Sequence, residues 1–567
     1  MASENLDIDI NLSADKKLDS LLKKVVKEVN VYAMDKIKHI RRLSEIGMAL
    51  SIEKNITTLF DMIVDEARQF CHAEAGTLYI VDREKQTLSF AVLQNAAMDV
   101  RVGCNHGEIS NLPDVPLYIN NQPNHSNVSS YVALTGETVN VPDIYHIADK
   151  DAVTRKLDFS GVRKYDRKTG YQTRSMLVIP MQNHEDEIIG VLQLINAKDD
   201  KNAQIVPFSK EDVDIISSLA SQAAVALTNA QLIQELKSLF HAFIRSIAAA
   251  IDEKSAYTGG HIRRVVDLTM MIAAAVNDSA DPPFTNIQLD QDQMEELRIA
   301  AWLHDVGKIT TPEYVVDKSA KLETIYDRIN LLETRFALIA KSIQYEYLEK
   351  KFKKAAGNRK ADHGFEALDQ HCAHEIASLQ DDFAFIRSCN AGSEFMDEQN
   401  ISRIREIGSR QFMFNGENAA YLTDDEVYNL CIKKGTLTEK ERKVVENHAK
   451  MTYEITSRLP FPKKMANVPE YAASHHEKLD KSGYPNGYGG DKLTLQSRIL
   501  AIADIFEALT AKDRPYKKPM RLSQAVKILE IMKTDNHIDA DICDLFIGSR
   551  IYQEYAKKEM DLEQIDL

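Results

Sequence analysis

Seven side chains in the C-terminal half of the chain are of the types that bind divalent transition metals. Neutral imidazole nitrogens and carboxylate oxygens together can hold two such ions with a water molecule bridging them. Four of the seven occur as the adjacent pairs His304-Asp305 and His475-His476. The whole set is His261, His304, Asp305, His448, His475, His476 and Asp504.

Asp504 lies inside the apolar segment 499–506, which reads Ile-Leu-Ala-Ile-Ala-Asp-Ile-Phe. A carboxylate buried in such a segment is costly without a partner. A metal ion is one suitable partner and a buried salt bridge is another, and the residues alone leave both open. A single histidine is more often a core or surface residue than a ligand, and we interpret the other eleven histidines in that way.

Two segments around these residues carry a resemblance to a known family. Residues 301–309 read Ala-Trp-Leu-His-Asp-Val-Gly-Lys-Ile, and residues 475–485 read His-His-Glu-Lys-Leu-Asp-Lys-Ser-Gly-Tyr-Pro. Over roughly residues 245–567 the chain resembles the HD-GYP family of bacterial cyclic di-GMP phosphodiesterases. The resemblance implies two metal ions, one held by His261, His304, Asp305 and Asp504, and the other by Asp305, His448, His475 and His476.

The same resemblance implies the identity of the metals and the catalytic residues. The family favours iron or manganese, and Tyr257 stands where members with a third metal carry a glutamate. Asp305 would bridge the two ions, and Lys308 would donate a hydrogen bond to a nonbridging phosphate oxygen. The implied substrate-binding residues are Lys308, Gly483, Tyr484, Pro485, Arg514 and Lys517.

Two of these substrate-binding features have simpler interpretations. Arg514 and Lys517 also fit an exposed basic turn, although arginine offers a fork that suits phosphate or a guanine edge. Residues 483–485 also fit an ordinary turn in a glycine-rich loop. The functional interpretation is a loop that shapes the rim of the site and is a candidate docking surface for cyclase-domain partners.

The C-terminal region that carries these residues is predicted to be almost entirely helical. Between His304 and His448 the chain is far longer than in compact members of the family, and the excess lies at about 322–434. It begins with a charged amphipathic pattern at 326–354, which predicts a helix. We expect a helical insertion that lies over the mouth of the site or along a dimer, and the sequence leaves both placements open.

Residues 44–208 have the pattern of a different fold. Short β-branched and alternating runs such as 76–81 and 188–194 predict a single sheet flanked by helices. Residues 166–173, Asp-Arg-Lys-Thr-Gly-Tyr-Gln-Thr, and residues 190–196, Gly-Val-Leu-Gln-Leu-Ile-Asn, resemble GAF sensor domains of the subset that binds cyclic nucleotides.

This second resemblance implies a small-molecule site in the sensor domain. The residues implied to lie near the ligand are Asp166, Thr169, Tyr171, Thr173 and Asn196. Ala197 after Asn196 and Val213 after Asp212 depart from the pattern of the nucleotide-binding subset. We therefore expect a cyclic nucleotide or another small ligand, and a ligand-free domain that only dimerises is the alternative.

A long helix is predicted to follow the sensor domain. Ser209 and Asp212 form a capping-box pattern, and apolar residues then recur at steps of three and four. These apolar residues are Ile216, Leu219, Ala223, Ala226, Ala230, Ile233, Phe240, Ile244, Ile247 and Ile251. Such a heptad pattern favours the coiled-coil spine of a homodimer, and a helix packed on its own domain is the alternative.

Composition excludes several classes of function. A net charge of −15 argues against a binder of duplex nucleic acid, which would carry a basic face. Six cysteines without metal-binding spacing indicate a reducing compartment. The sequence contains neither an apolar run of the roughly 20 residues that span a membrane nor a signal peptide. We therefore expect a cytoplasmic protein without membrane insertion.

Together these observations predict a multidomain chain. A helical or flexible segment (1–43) precedes an α/β GAF domain with a central antiparallel sheet (44–208), a linker helix (209–243) and an all-α HD-GYP domain with its insertion (244–567). The predicted activity is GAF-regulated hydrolysis of cyclic di-GMP to linear pGpG by a metal-bridging hydroxide, with further cleavage to GMP left open. The alternatives are a phosphodiesterase for another cyclic dinucleotide, such as 3′,3′-cyclic GMP-AMP, and a non-catalytic nucleotide receptor or scaffold.

Overall fold

The computed structural model describes most of the 567 residues of the chain. The described residues are 15–103, 112–146, 157–199, 202–254, 260–357, 365–392, 395–512 and 519–567. The chain divides into two compact units, Met1–Leu239 and Phe240–Leu567. Among the helices of the described residues, none has both the length and the apolar character needed to cross a bilayer.

An antiparallel sheet forms the centre of the N-terminal unit, as the sequence predicts. The strands of this unit are β1 (Ala75–Asp82), β2 (Thr87–Asn95), β3 (Val100–Gly103), β4 (Val115–Pro116), β5 (Tyr118–Ile119), β6 (Gln122–Pro123), β7 (Val139–Val141), β8 (Met176–Gln182), β9 (Ile188–Ile195), β10 (Ala197–Lys198) and β11 (Ile205–Val206). Seven of them form the sheet in the order β3-β2-β1-β9-β8-β7, with β4 paired to the start of β2. At its centre, Thr77 of β1 lies opposite Gln193 of β9.

Helices cover both faces of this sheet. Successive side chains of a strand point to opposite faces, and apolar side chains of the same strands are buried on each face. The helices are α1 (Lys16–Ile52), α2 (Ile56–Phe70), α3 (Val128–Thr135), α4 (Ser160–Thr169) and α5 (Lys210–Asp252), which ends in the C-terminal unit. One face packs Leu78 and Leu192 against α2, α5 and the end of α1. The other face packs Tyr79 and Val191 with Val132 of α3. Helix α1 runs without a break through the boundary expected at residue 43.

Helix α5 begins with the predicted capping box. The N–H of Asp212 donates to Oγ of Ser209 at 3.1 Å, and the N–H of Ser209 donates to the Asp212 carboxylate at 2.7 Å. The helix has 43 residues, which is about 65 Å at roughly 1.5 Å per residue.

The predicted heptad seam of α5 is buried at both of its ends. Ile216 and Leu219 pack under the sheet of the N-terminal unit, and Ile244 and Ile251 belong to the apolar cores of the C-terminal unit. At these positions the packing alternative is the one observed. The large apolar residues that α5 exposes are Val225, Leu232, Ile233, Leu236, Leu239 and Phe243.

The C-terminal unit is built from helices, as predicted, with one short hairpin. Its elements are α6 (His261–Asp278), α7 (Gln291–Leu303), α8 (Glu313–Val316), α9 (Ile329–Gly357), α10 (Phe365–Asn390), α11 (Glu398–Ser409), β12 (Gln411–Phe414), β13 (Glu417–Ala420), α12 (Asp424–Leu430), α13 (Glu439–Thr456), α14 (Val468–Ala473), α15 (Leu495–Thr510), α16 (Leu522–Thr534), α17 (Ala540–Gly548), α18 (Ile551–Glu559) and 3-10 helices at Phe284–Asn286, Val306–Thr310, Lys463–Met465 and Leu562–Gln564. Helix α6 packs against α7, α15 and α17 in the main core.

The insertion has an apolar core of its own. Helices α9 and α10 pack on each other, and Phe336 and Ile386 belong to a core that α11 and α12 complete. The insertion also contains the β12–β13 hairpin, which the helical prediction did not include. Asn415 and Gly416 at its turn have φ values of 52° and 85°. A two-residue hairpin turn requires positive φ at both positions, so the Asn-Gly pair was the sequence signal for it.

Candidate metal centre

The structure brings all seven predicted ligands together in the C-terminal unit. They come from separate helices: His261 begins α6, His304 follows α7, Asp305 precedes the 3-10 helix, His448 lies in α13, His475 and His476 follow α14, and Asp504 lies in α15. Residues far apart in the sequence meet here because α6, α7 and α15 share one apolar core.

The two carboxylate oxygens of Asp305 face different histidines. Oδ2 lies 3.4 Å from Nε2 of His261 and 3.3 Å from Nε2 of His304. Oδ1 lies 3.5 Å from Nε2 of His448 and 4.0 Å from Nε2 of His475. Ligands that share one ion at about 2.1 Å lie roughly 3 to 4 Å apart. Asp305 is therefore placed to bridge two ions.

Asp504 also reaches both groups of histidines. Its Oδ1 lies 3.5 Å from Nε2 of His261 and 3.8 Å from Nε2 of His304, and its Oδ2 lies 3.9 Å from Nδ1 of His476. Two sets of ligand atoms lie within 4.8 Å of one another, one from His261, His304 and Asp305 and the other from His448, His475 and His476. The histidines thus fall into the two groups named above, whereas Asp504, which the resemblance assigns to one metal, lies near both groups.

Buried polar atoms at the centre test whether metal ions fit. Nε2 of His304, His448 and His475 and Oδ1 of Asp305 are buried and have no hydrogen-bond partner among the described residues. Leaving such atoms without a partner costs free energy, and native proteins rarely do so. All three nitrogens lie within 4.0 Å of one or the other oxygen of Asp305, so divalent cations bound on both sides of Asp305 would satisfy these atoms.

Backbone carbonyls set the tautomer of three of these histidines. Nδ1 of His304, His448 and His475 donates to the carbonyl of the third residue before each, at 2.8, 2.5 and 2.7 Å. An Nδ1–H hydrogen bond of this kind leaves the Nε2 lone pair free to bind a metal. The histidines are therefore oriented before any ion binds.

His261 is oriented by a side chain that the sequence analysis missed. Glu507 is fully buried and accepts from Nδ1 of His261 at 2.5 Å and from Nε of Arg264 at 2.8 Å. A carboxylate behind a metal-binding histidine fixes the ring and strengthens the ligand. The sequence did contain a signal for Glu507, because it is a second carboxylate in the apolar helix α15, three residues after Asp504.

Two histidines of the centre have pKa values on opposite sides of neutrality. Burial alone would lower the pKa of His261, but the Glu507 carboxylate and Asp305 raise it to about 10. Burial and the neighbouring His304 lower the pKa of His475 to about 3. His475 is therefore a neutral imidazole at pH 7, which is the form that binds metals, whereas His261 would have to release a proton when a metal ion binds.

The His-Asp-x-Gly-Lys segment does not continue helix α7. His304 is the C-cap of α7, and Asp305 has φ −102° and ψ 8°, so the helical path ends between these two residues. The chain turns there because the following 3-10 helix packs directly on α13. The N–H of Gly307 donates to Oγ1 of Thr452 at 3.0 Å, and a Cβ at Gly307 would overlap the carbonyl oxygen of His448.

Lys308 lies at the edge of this centre. Its Nζ donates to Oδ2 of Asp305 at 2.6 Å, and a quarter of its side chain is exposed, at 25%. Burial alone would raise the pKa of Asp305, but Lys308 and His304 hold it well below the usual range. Asp305 is therefore a carboxylate, and Lys308 is a cation that can reach a bound anion.

The Gly-Tyr-Pro loop lies against the second histidine group. The ring of Tyr484 is 4.8 Å from the ring of His476, and the loop is held by Glu477, whose carboxylate accepts from two loop N–H groups at 2.7 and 2.9 Å. A Cβ at Gly483 would overlap the backbone of Glu477, so only glycine allows this approach. Arg514 and Lys517 lie outside the described residues.

The N-terminal unit contains a separate cavity of about 300 Å³ on one face of the sheet. Of the five residues predicted near a ligand, Tyr171 and Thr173 line this cavity. Asp166 and Asn196 are buried in a hydrogen-bond network instead, and Thr169 is exposed. The cavity wall also includes Thr77, Gln193 and Tyr165.

Comparison with protein families finds three matching regions. The GAF domain family matches residues 55–227. One HD domain family matches residues 258–382, and a second HD domain family matches residues 423–542. The chain thus contains a GAF domain followed by an HD domain. The seven candidate ligands lie within the two HD matches, which are separated by part of the insertion.

Similar curated proteins match parts of the chain. A "3'3'-cGAMP-specific phosphodiesterase 3" of Vibrio cholerae is 44% identical over 17% of this chain and 20% of its own length. A "3'3'-cGAMP-specific phosphodiesterase 1" is 29% identical over 33% of this chain and 46% of its own length. A "Probable cyclic di-GMP phosphodiesterase" is 35% identical over 24% and 33%. All three relatives are from Vibrio cholerae, and the chain spans less than half the length of each.

Proposed function

Because the chain joins a GAF domain to an HD domain, we propose that it is a metal-dependent phosphodiesterase that hydrolyses cyclic di-GMP to linear pGpG. The observation that carries the proposal is Asp305, whose two oxygens face two separate groups of imidazoles. A carboxylate in this position suits a two-metal centre, and such centres serve in-line displacement at phosphorus. The names of the relatives support the same class of reaction.

Two ions of iron or manganese fit the ligand set of imidazoles and carboxylates. When bound, they would lower the pKa of a water molecule and offset the charge of the phosphodiester. Lys308 would donate from Nζ to a nonbridging phosphate oxygen. His476, whose side chain is 27% exposed, and the neighbouring Tyr484 would border the bound nucleotide on the open side of the centre.

A second candidate substrate is 3′,3′-cyclic GMP-AMP. Two of the similar curated proteins are named for cleavage of this molecule, and one of them has the highest identity among the three described above. The two dinucleotides differ in one base, and the centre described above would contact the phosphate, which they share. A competition assay between them therefore decides the substrate preference.

The test is turnover by the full chain, purified without oxygen and supplied with ferrous iron or manganese. Each dinucleotide is offered alone and then both together, products are separated by chromatography, and bound metal is counted. The double variant His304→Ala/Asp305→Ala is the control. The proposal is supported if the wild-type chain binds two metal ions and cleaves cyclic di-GMP, and the variant does not cleave it. If the metal-loaded protein cleaves neither dinucleotide, the proposed activity is wrong, and a nucleotide receptor or scaffold is favoured instead.

We propose that the GAF domain regulates this activity through a small ligand in its cavity. The cavity volume of about 300 Å³ is at the lower end of the range for small-molecule sites, roughly 300–1,000 Å³. Binding of cyclic AMP and cyclic GMP is measured by calorimetry, followed by the phosphodiesterase rate at saturating ligand. A ligand that binds without changing the rate would contradict a regulatory role.

We also propose that the chain forms a homodimer through α5. The helix has a stripe of exposed apolar residues whose positions are separated by seven, four, three and four residues, which is coiled-coil spacing. These residues are Val225, Leu232, Leu236, Leu239 and Phe243. A second copy presents the same stripe, so a symmetric pair buries both. Sedimentation should show a dimer that Leu236→Asp dissociates and Leu562→Asp, at an exposed leucine elsewhere, does not. A wild-type monomer would overturn this proposal.

A further inference from the structure

Lys254 makes an unusual set of contacts just after the end of α5. Its ammonium nitrogen Nζ lies 2.9 Å from the carbonyl oxygen of Lys308, 2.6 Å from that of Ile309 and 2.7 Å from that of Thr311. A lysine ammonium has three N–H donors and no acceptor. All three donors of Lys254 are therefore used on a single short segment of chain.

That segment is the 3-10 helix and turn that carry Lys308. The carbonyls at the C-terminal end of a helix carry partial negative charge, and a cation placed there stabilises the helix end. Hydrogen bonds from a charged donor are also stronger than neutral ones. Lys254 thus holds the backbone at the residue whose side chain is proposed to reach the substrate phosphate.

The start of the same segment is held by α13. Oγ1 of Thr452 donates to the carbonyl of His304 at 2.9 Å and accepts from the N–H of Gly307 at 3.0 Å. The segment therefore contacts both the helix that carries the candidate ligand His448 and the chain that leaves α5. Of these two contacts, the one from Lys254 brings a formal charge to the carbonyls.

The end of α5 also contacts the start of α6. The carboxylate of Asp252 accepts hydrogen bonds from the backbone N–H groups of Gly260 and Ile262, on either side of His261. Asp252, Lys254, Asp305 and Lys308 line one small cavity. Asp252 and Lys254 thus contact the backbone next to two different parts of the metal centre, beside His261 and at Lys308.

We infer that Lys254 is a positioning residue for the proposed hydrolysis: it holds the 306–311 segment so that Nζ of Lys308 is aimed at the phosphate. This inference rests on the proposed function. The three hydrogen bonds of Lys254 described above go to backbone carbonyls and to none of the proposed metal ligands, so its removal should leave metal binding intact. The rate should fall because Lys308 loses its fixed direction.

The first experiment compares Lys254→Met with wild type in the metal-loaded full chain. A misplacement of about 1 Å can cost roughly 100-fold in rate, so we expect kcat to fall by roughly 10- to 100-fold with metal content unchanged. Lys321→Met is the matched control, because Lys321 is buried and its Nζ also donates to two carbonyls, those of Leu430 and Ile432, away from the centre. An unchanged kcat in Lys254→Met would overturn the inference.

Hydrogen exchange supplies a readout that does not depend on turnover. Backbone amides of residues 306–311 should exchange faster in Lys254→Met than in wild type, whereas Lys321→Met should leave their exchange unchanged. Equal exchange in Lys254→Met and wild type would overturn the inference. If the wild-type chain cleaves no cyclic dinucleotide, the proposed function fails on that result, and the exchange data still decide whether Lys254 holds the segment.

A double-mutant cycle separates positioning from a general loss of structure. If Lys254 acts through Lys308, then adding Lys254→Met to Lys308→Met should lower the remaining rate by less than about twofold, because the two changes share one effect. Full additivity of the two losses would show that Lys254 acts by another route and would overturn the inference.

Discussion

Two buried polar clusters, one in the HD domain and one in the GAF domain, differ in how their atoms are paired. In the HD domain, three imidazole nitrogens and one oxygen of Asp305 have no hydrogen-bond partner among the described residues. In the GAF domain, Asp166 accepts from both N and Oγ1 of Thr173 at 2.9 Å, and Asn196 donates to Glu74 at 2.9 Å. One cluster leaves lone pairs facing each other, and the other pairs its groups internally.

This difference separates residues that bind something from residues that hold the fold. Buried polar atoms without a partner are costly, so their clustering at Asp305 indicates that an ion completes the structure. A cluster that satisfies itself needs no ligand, and it stabilises the strands and turns that it joins. Both clusters belong to family motifs, but only the pairing of individual atoms shows which role a motif residue has.

The largest expected effect is at the unpaired cluster. His304→Ala/Asp305→Ala removes ligands of both groups, so hydrolysis should fall by roughly 10²- to 10³-fold or more, the cost of losing transition-state stabilisation. Manganese at a hundredfold excess over its Kd should stabilise wild type by about 2.7 kcal/mol, and the variant should show no such shift in Tm. Equal metal-induced shifts in both proteins would contradict the assignment of this centre.

A smaller effect is expected at Glu507, which orients His261. Loss of such a carboxylate typically lowers metal affinity by roughly 10- to 100-fold, so Glu507→Gln should weaken manganese binding measured by calorimetry. Glu426→Gln is a matched control, because Glu426 is also buried and pairs with an arginine, Arg335, in the insertion. If both variants bind manganese equally well, Glu507 has only a structural role.

The smallest effect is expected at the paired cluster. Asp166→Asn places an amide donor opposite the donors of Thr173 and Tyr145, so the free energy of unfolding of the GAF domain should fall by roughly 1–3 kcal/mol. Urea denaturation measures this loss, and the metal content of the chain should not change. Asp158→Asn is the control, because Asp158 makes similar bonds to Ser160 at an exposed position. A loss of metal in Asp166→Asn would break the contrast between the clusters.

Residue types and spacing predicted a large part of this molecule. His304-Asp305, Lys308 and Gly483-Tyr484-Pro485 identified the region of the centre through their resemblance to the motifs of the HD-GYP family. Alternating apolar runs predicted the GAF sheet, and Ser209 with Asp212 predicted the start of α5. These signals are local, since each depends on residues within a few positions of one another.

Only the tertiary structure decided which distant groups meet. Glu507 lies 246 positions from its partner His261, and Lys254 lies 54 positions from Lys308. The apolar seam predicted for α5 was divided among apolar cores of the two units for the same reason. Periodicity tells which residues share a face of a helix, but burial depends on what packs against that face. The sequence by itself therefore determined the elements and the ligand types, whereas packing decided the partners, because hydrogen bonds and burial join residues that are remote in the chain.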